Sequence, residues 1–386
     1  MRSNNIRKWA ARLHLYLGLP AGLVLFVVAL TGAIYALRPE VIGIGRPDLS
    51  IVDEGKDLLP PYQLIDGVRY TVYRSPADSS NLIYGVTYEG RTQAAQVTAK
   101  IGNSRRSILF VNPYTGQLLH TEHSSYDIFR WAMNGHRSLW LPREIGKPII
   151  GWSILAFIIV SLTGLVIWMP RKLNKKSLRA VSTIRWGAKR PRLFLDLHNV
   201  VGIYTLAFAL AIAVTGLTWS FDWWANGYYG LLTGGGTLET WVVPKSDVSR
   251  ATQTAHTDSL LWQNVQRKYP IVSDGSSLRF DVPTDEDGVY TVVYNPDGDL
   301  RYSRAEYNFY DRYTLQQVAG GGLYGIAQDK LSIGQRIYRM TYDIHSGSIG
   351  GWVGRYIAFF VSLALCLLPI TGIYLWWRKR KAKALN

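Results

Sequence analysis

Four apolar segments, residues 15–37, 148–169, 200–220 and 353–377, decide what this 386-residue chain can fold into. Each holds the roughly 20 residues that a helix needs to cross a bilayer core. A helical backbone satisfies its own polar groups in lipid, so a membrane-spanning helix is expected at all four. The first segment is too long for the apolar part of a cleaved leader, and no clear small-residue cleavage motif follows it, so it is read as a permanent span.

The formal net charge of +16 has meaning only through its placement. Of the 43 Lys and Arg, 18 lie in three short segments free of acids: 4 in residues 1–13, 9 in 171–192 and 5 in 378–383. The other 25 nearly balance the 27 acids. By the positive-inside rule both termini and the 171–192 loop face the cytoplasm. The excess therefore reports topology and contact with anionic membrane lipids, and nucleic acid is not an expected partner. Residues 38–147 and 221–352 lie on the other side, the periplasm of a two-membrane bacterium, which makes this a multi-pass inner-membrane protein. The only cysteine, Cys366, falls in the fourth apolar segment, so the outer regions fold without disulfides, each around its own core.

The outer regions alternate strand-like runs with turn chemistry. Residues 68–73, 81–88, 93–99 and 107–112 read as strands in the first, and 278–282 and 289–294 in the second, where 259–268 reads as a helix. Val111-Asn112-Pro113-Tyr114-Thr115-Gly116-Gln117 is echoed by Tyr310-Asp311-Arg312-Tyr313-Thr314-Leu315-Gln316. The chain thus reads as a tandem repeat of helix, outer α+β domain, helix, the halves being parallel repeats about an axis along the membrane normal. The expected boundaries are 1–37 for the tail and helix 1, 38–147 for outer domain 1, 148–170 for helix 2 and 171–197 for the basic loop. The second half follows with 198–221 for helix 3, 222–348 for outer domain 2, 349–377 for helix 4 and 378–386 for the tail.

Histidines mark the repeat. His14 and His198 each precede a glycine by four residues, Gly18 and Gly202, and a Thr-Gly pair by seventeen and eighteen, ending at Gly32 and Gly216. At about 100° per residue these positions share one helix face. His136 and His345 precede the second and fourth segments, 28 and 27 residues before the Thr-Gly glycines Gly164 and Gly372. The topology puts His14 and His198 at the inner membrane face and His136 and His345 at the outer one. Two bis-histidine haems stacked across the bilayer require such an arrangement, with small residues leaving room for a flat cofactor. No Cys-x-x-Cys-His is present, so no covalent haem link is expected. His120 and His123 read as a solvated surface and His256 has no assigned role. The clusters around Trp219–Trp224 and Trp376–Trp377 read as interfacial belts, while Trp131, Trp140 and Tyr342 either join such a belt or wall a substrate mouth.

Gly135-His136-Arg137-Ser138-Leu139-Trp140, Ile344-His345-Ser346-Gly347, the Thr-Gly-aliphatic-x-Trp endings and Val111–Gly116 resemble the PepSY-associated transmembrane family across nearly the whole chain. Within it they are most similar to the inner-membrane siderophore-iron reductases of the ferrioxamine type. The resemblance implies two PepSY-like periplasmic domains, two b-type haems on the pairs His14/His198 and His136/His345, and reduction of a ferric siderophore in the periplasm with release of Fe(II). Arg12 and Arg137, each beside a ligand, are candidate partners for haem propionates or plain interfacial cations. No Gly-rich dinucleotide motif opens a helix after a strand on the cytoplasmic side, so a cytoplasmic partner protein, a quinol or a soluble reductant is the expected electron donor. A cytochrome b-type quinone oxidoreductase and a non-enzymatic PepSY sensor are the alternatives.

Overall fold

The structure, a computed structural model, describes residues 2–38, 40–41, 49–51, 55–73, 81–102, 106–123, 128–253, 257–271, 275–298 and 301–384. In chain order its elements are α1 (Arg2–Ala36), α2 (Pro61–Val72), β1 (Leu82–Glu89), β2 (Ala95–Lys100), β3 (Ser107–Val111) and β4 (Leu118–His123). Then come α3 (Ile128–Ser138), α4 (Arg143–Trp168), α5 (Lys175–Ser182), α6 (Arg190–Gly216), α7 (Asp222–Thr233) and α8 (Thr257–Lys268). The chain continues with β5 (Ser277–Asp281), β6 (Val289–Asn295), β7 (Glu306–Asp311), β8 (Gln317–Val318), α9 (Ile333–Arg339), α10 (Thr341–Ser346) and α11 (Gly351–Ala384). Two compact units result. One holds Met1–Pro39, Ile128–Gly227 and Ile344–Asn386; the other holds Glu40–Asp127 and Tyr228–Asp343.

The first unit is helical. Spans over Asn5–Ala36, Arg143–Trp168, Arg190–Trp219 and Ser348–Ala382 are long and apolar enough to cross a membrane. Helix α1 packs on α4 and α11, and α6 packs on the same two, so α1 faces α6 across the ring and α4 faces α11. Most of each apolar stretch stays unburied, with Leu23 68% and Phe360 63% exposed, as lipid-facing helices require. Four threonines buried inside, Thr31, Thr205, Thr215 and Thr371, each bond a carbonyl of their own helix four residues back, at 2.7 Å.

The second unit corrects the expectation of two outer domains with separate cores. Its strands form a single antiparallel sheet in the order β4-β3-β2-β1-β5-β6-β7-β8. β1 joins β5 from Gly85 opposite Asp281 to Glu89 opposite Ser277. A four-stranded sheet ending at β1 would leave a row of unpaired backbone groups, and β5 satisfies them. One core also serves both segments: Leu64, Val68 and Val72 of α2 and Leu261, Trp262 and Val265 of α8 lie in the same cluster as Val86, Leu109, Leu278 and Phe280. Each half keeps a helix followed by four strands. The echoed motif forms the same turn in both, with Asn112 accepting from the N–H groups of Tyr114 and Thr115 and Asp311 from those of Tyr313 and Thr314. Gly116 ends the first turn at φ +73° and Leu315 ends the second at φ +57°.

Residues 68–73, read as a strand from their β-branched composition, instead close α2. Pro61 at the first turn starts that helix, and Leu64, Ile65, Val68 and Val72 line one helical face, all buried. The segment 128–147, assigned by sequence to the outer domain, packs with the helices instead, and the second span starts at Arg143 rather than 148.

Candidate functional site

The helical unit brings the four histidines together as two pairs. The ring centres of His14 and His198 lie 6.1 Å apart with planes at 79°. Those of His136 and His345 lie 6.0 Å apart with planes at 61°. His14 and His198 stand on the facing helices α1 and α6. His136 and His345 stand on the short helices α3 and α10 that precede α4 and α11. Along α1, His14 is 18 residues from Gly32, against which His136 packs, a rise of roughly 27 Å at 1.5 Å per residue.

Each ring rests on a Thr-Gly pair of a neighbouring helix. A Cβ added at Gly164 would come 3.1 Å from His14 Cε1, at Gly32 3.0 Å from His136, at Gly216 3.0 Å from His345 and at Gly372 3.5 Å from His198. His14, His136 and His345 direct Nδ1 at the carbonyls of Val160, Val28 and Ile212, at 3.0, 2.8 and 2.9 Å. In each case the carbonyl belongs to the residue four before the glycine, where a missing side chain lets the ring lie on the backbone. His198 directs Nδ1 at Thr371 Oγ1, at 2.8 Å. That hydroxyl donates to its own helix at Leu367, so it accepts from the ring. A carbonyl can only accept, so in all four rings the proton sits on Nδ1 and the lone pair on Nε2.

The seats exchange roles between the two ends. At one end α1 and α6 supply the histidines, and α4 and α11 supply Gly164 and Gly372. At the other, α3 and α10 supply the histidines, and α1 and α6 supply Gly32 and Gly216. The glycines thus make room for imidazoles rather than for the face of a flat cofactor, a role the sequence spacing did not distinguish. Gly18 and Gly202 do something milder. A Cβ there would meet Val160 at 3.8 Å and Leu368 at 3.9 Å, ordinary helix packing.

A pair of Nδ1-protonated histidines fits a haem iron. Two metal–nitrogen bonds of about 2 Å plus roughly 1.1 Å from each nitrogen to its ring centre span roughly 6 Å. At either end two imidazoles face each other, and no group of three or more His, Cys, Asp or Glu that could hold a metal ion occurs among the described residues. Two imidazoles suit a metal whose equatorial positions come from a macrocycle. Burial pushes His345 down to about 4, with the neighbouring His136 acting in the same direction. Burial also lowers His136, opposed by its bond to the Val28 carbonyl and aided by Arg137. Both rings are therefore neutral near pH 7, as ligation requires.

The His136 segment is shaped by close contacts. A Cβ at Gly135 would land 2.4 Å from the Trp140 ring, and one at Gly146 would land 1.9 Å from the Ser138 carbonyl. Trp140 donates from its indole to the Trp131 carbonyl at 2.8 Å, and the two indoles lie 4.6 Å apart. Leu139 and Trp140 turn the chain with φ of +54° and +58°. On the other side, Trp219 lies edge-on to His345, ring centres 5.3 Å apart.

Arg12 and Arg137 are both exposed, and Arg12 lies over the Trp9 ring, 5.2 Å from its centre. His120 is exposed on β4 beside Phe110, and His256 lies outside the described residues. Sequence reasoning passed over Asp196, two residues before His198. It is buried and pairs with Arg185 at 2.9 Å and Arg192 at 3.0 Å, fixing the basic loop to the start of α6. A carboxylate at the head of an apolar helix, just after an arginine-rich stretch, was the available signal.

Compared with known families, residues 11–379 match the one described as the PepSY-associated TM region. A comparison with curated proteins finds no match.

Proposed function

This chain belongs to the PepSY-associated transmembrane family, and from that premise we propose that it is a di-haem b oxidoreductase of the bacterial inner membrane that reduces ferric siderophore in the periplasm. The observation that carries the reading is the pairing of four histidines at two levels of one helical bundle, every Nδ1 engaged by a neighbouring helix. His14 and His198 hold the haem at the basic, cytoplasmic end, and His136 and His345 hold the one at the periplasmic end. A bound haem b supplies a one-electron carrier there.

The chain's own residues do the rest. The carbonyls of Val160, Val28 and Ile212 and the Thr371 hydroxyl fix each ring and raise the basicity of its ligating nitrogen, favouring the ferric state. The Thr hydroxyls keep their protons on their own helices and so do not compete for Nε2.

The substrate choice is supported by the resemblance at Gly135–Trp140 and Ile344–Gly347 and by the chemistry of the chelate. Hydroxamate and catecholate oxygens are hard donors suited to Fe(III), so one added electron weakens the complex and Fe(II) leaves. The donor is a cytoplasmic partner or a quinol on the basic side.

The test is to reduce the purified full-length protein anaerobically and mix it with a ferric hydroxamate siderophore and an Fe(II)-specific chelator. Reoxidation of the haem bands together with trapped Fe(II) is expected. Bands that stay reduced with the siderophore but reoxidise with a quinone would replace this reading by a quinone oxidoreductase.

A further inference from the structure

The basic loop between α4 and α6 is more ordered than topology requires. A positive-inside flank needs only charge on the correct side, and a flexible stretch would serve. Here the loop is tied down at several points. Asn174 caps α5 by accepting from the Ser177 N–H at 2.8 Å, and the Trp168 indole donates to the Val181 carbonyl at 3.1 Å. Arg185 donates to the Ala180 carbonyl at 2.9 Å and to both carboxylate oxygens of buried Asp196, at 2.9 and 3.1 Å.

This anchoring gathers Lys175, Lys176, Arg179 and Arg185 around one concavity of about 490 Å³, completed by Ala180 and Thr183. No acid lines it. Asp196 neutralises Arg185 but is shared with Arg192. The side chains of Lys175, Lys176 and Arg179 make no hydrogen bond or ion pair among the described residues. Holding like charges together in an ordered loop is unfavourable through mutual repulsion and lost chain entropy. A multivalent anion lying in this open depression offsets both costs.

We propose that this concavity is a binding site for a phosphate ester, with Lys175, Lys176 and Arg179 as its cations and Arg185, whose Nε and Nη2 are held by Asp196 and Ala180, adding only its Nη1 donors. A phospholipid headgroup and a soluble nucleotide phosphate share this chemistry. The site stands apart from the haem reading and survives if that reading fails.

The test uses the full-length protein in a neutral detergent, titrated separately with phosphatidylglycerol in mixed micelles and with ADP. Saturable binding of one of them is expected, weakened about ten-fold or more in Lys175→Gln/Lys176→Gln/Arg179→Gln. Saturation by phosphatidylglycerol assigns the site to a lipid, and saturation by ADP to a soluble phosphate. Arg378→Gln/Lys379→Gln/Lys381→Gln removes the same charge from another basic segment and should leave binding unchanged. The proposal is overturned if neither probe saturates, if the loop variant binds like the parent, or if both variants lose equally, which would mean diffuse attraction. All three loop positions are exposed, and an unchanged helical circular dichroism spectrum checks that the variant folds.

Discussion

The two histidine pairs use one seat in two different structural settings. His14 and His198 ride on the long helices α1 and α6, whose backbone runs unbroken from histidine into span. His136 and His345 sit on helices of 11 and 6 residues, joined to their spans by tight links. Those links pass through Leu139 and Trp140 at φ +54° and +58° in one case, and through Gly347 and Gly351 at φ +78° and +62° in the other. The lesson is that at the basic end a continuous helix sets the ring position, whereas at the far end turn geometry and close packing set it. Changes away from the ligands should therefore be felt more at the far end.

The largest expected effects come from the ligands themselves. His345→Ala should remove one haem and lower haem content by about half, as should His198→Ala through the other pair, while His256→Ala leaves it unchanged. Haem per chain, measured on each variant, checks this; loss of both haems from either ligand variant would mean that the ends are not independent.

Next come the seats. Gly216→Ala puts a Cβ 3.0 Å from His345, and Gly372→Ala puts one 3.5 Å from His198. The first should displace its ring and cost about 1–3 kcal/mol in thermal or denaturant unfolding, with a shift of the far-end haem spectrum. The second should cost less than about 1 kcal/mol. Equal costs would break the link between seat clearance and cost, under which Gly164→Ala, with its Cβ 3.1 Å from His14, should fall near Gly216→Ala.

Gly135→Ala meets the Trp140 ring at 2.4 Å and should weaken the far-end site by a similar 1–3 kcal/mol, whereas Gly202→Ala, with 3.9 Å of clearance, should be nearly silent. A comparably small effect belongs to Leu139→Gly. Relief of the left-handed backbone is largely offset by the added freedom of glycine in the unfolded chain, leaving a change within about 1 kcal/mol.

The parts legible in the sequence were those with a local period. Apolar length gave the four spans, and the eighteen-residue spacing from His14 to Gly32 and from His198 to Gly216 put ligand and seat on one face. What escaped was long-range or overridden locally. β1 and β5 are nearly 190 residues apart in sequence, and no local pattern announces that they pair. The β-branched run at 68–73 concealed a helix because Pro61 and the apolar spacing of α2 outweigh strand propensity. The one-residue difference between the two His-to-Gly distances lies wholly in the far-end links. His136 stands seven residues before the start of α4 and His345 six before that of α11, and from each helix start to its Thr-Gly glycine there are twenty-one. Nor could spacing tell that a glycine makes room for an imidazole, since that depends on which helices are neighbours.

Haem stoichiometry with spin state tests the central claim most directly. The full-length protein purified from haem-replete cells should carry two haem b per chain, both low-spin with bis-imidazole signals in electron paramagnetic resonance. Fewer than two per chain, or a high-spin haem at either end, would contradict the pairing of His14 with His198 and of His136 with His345.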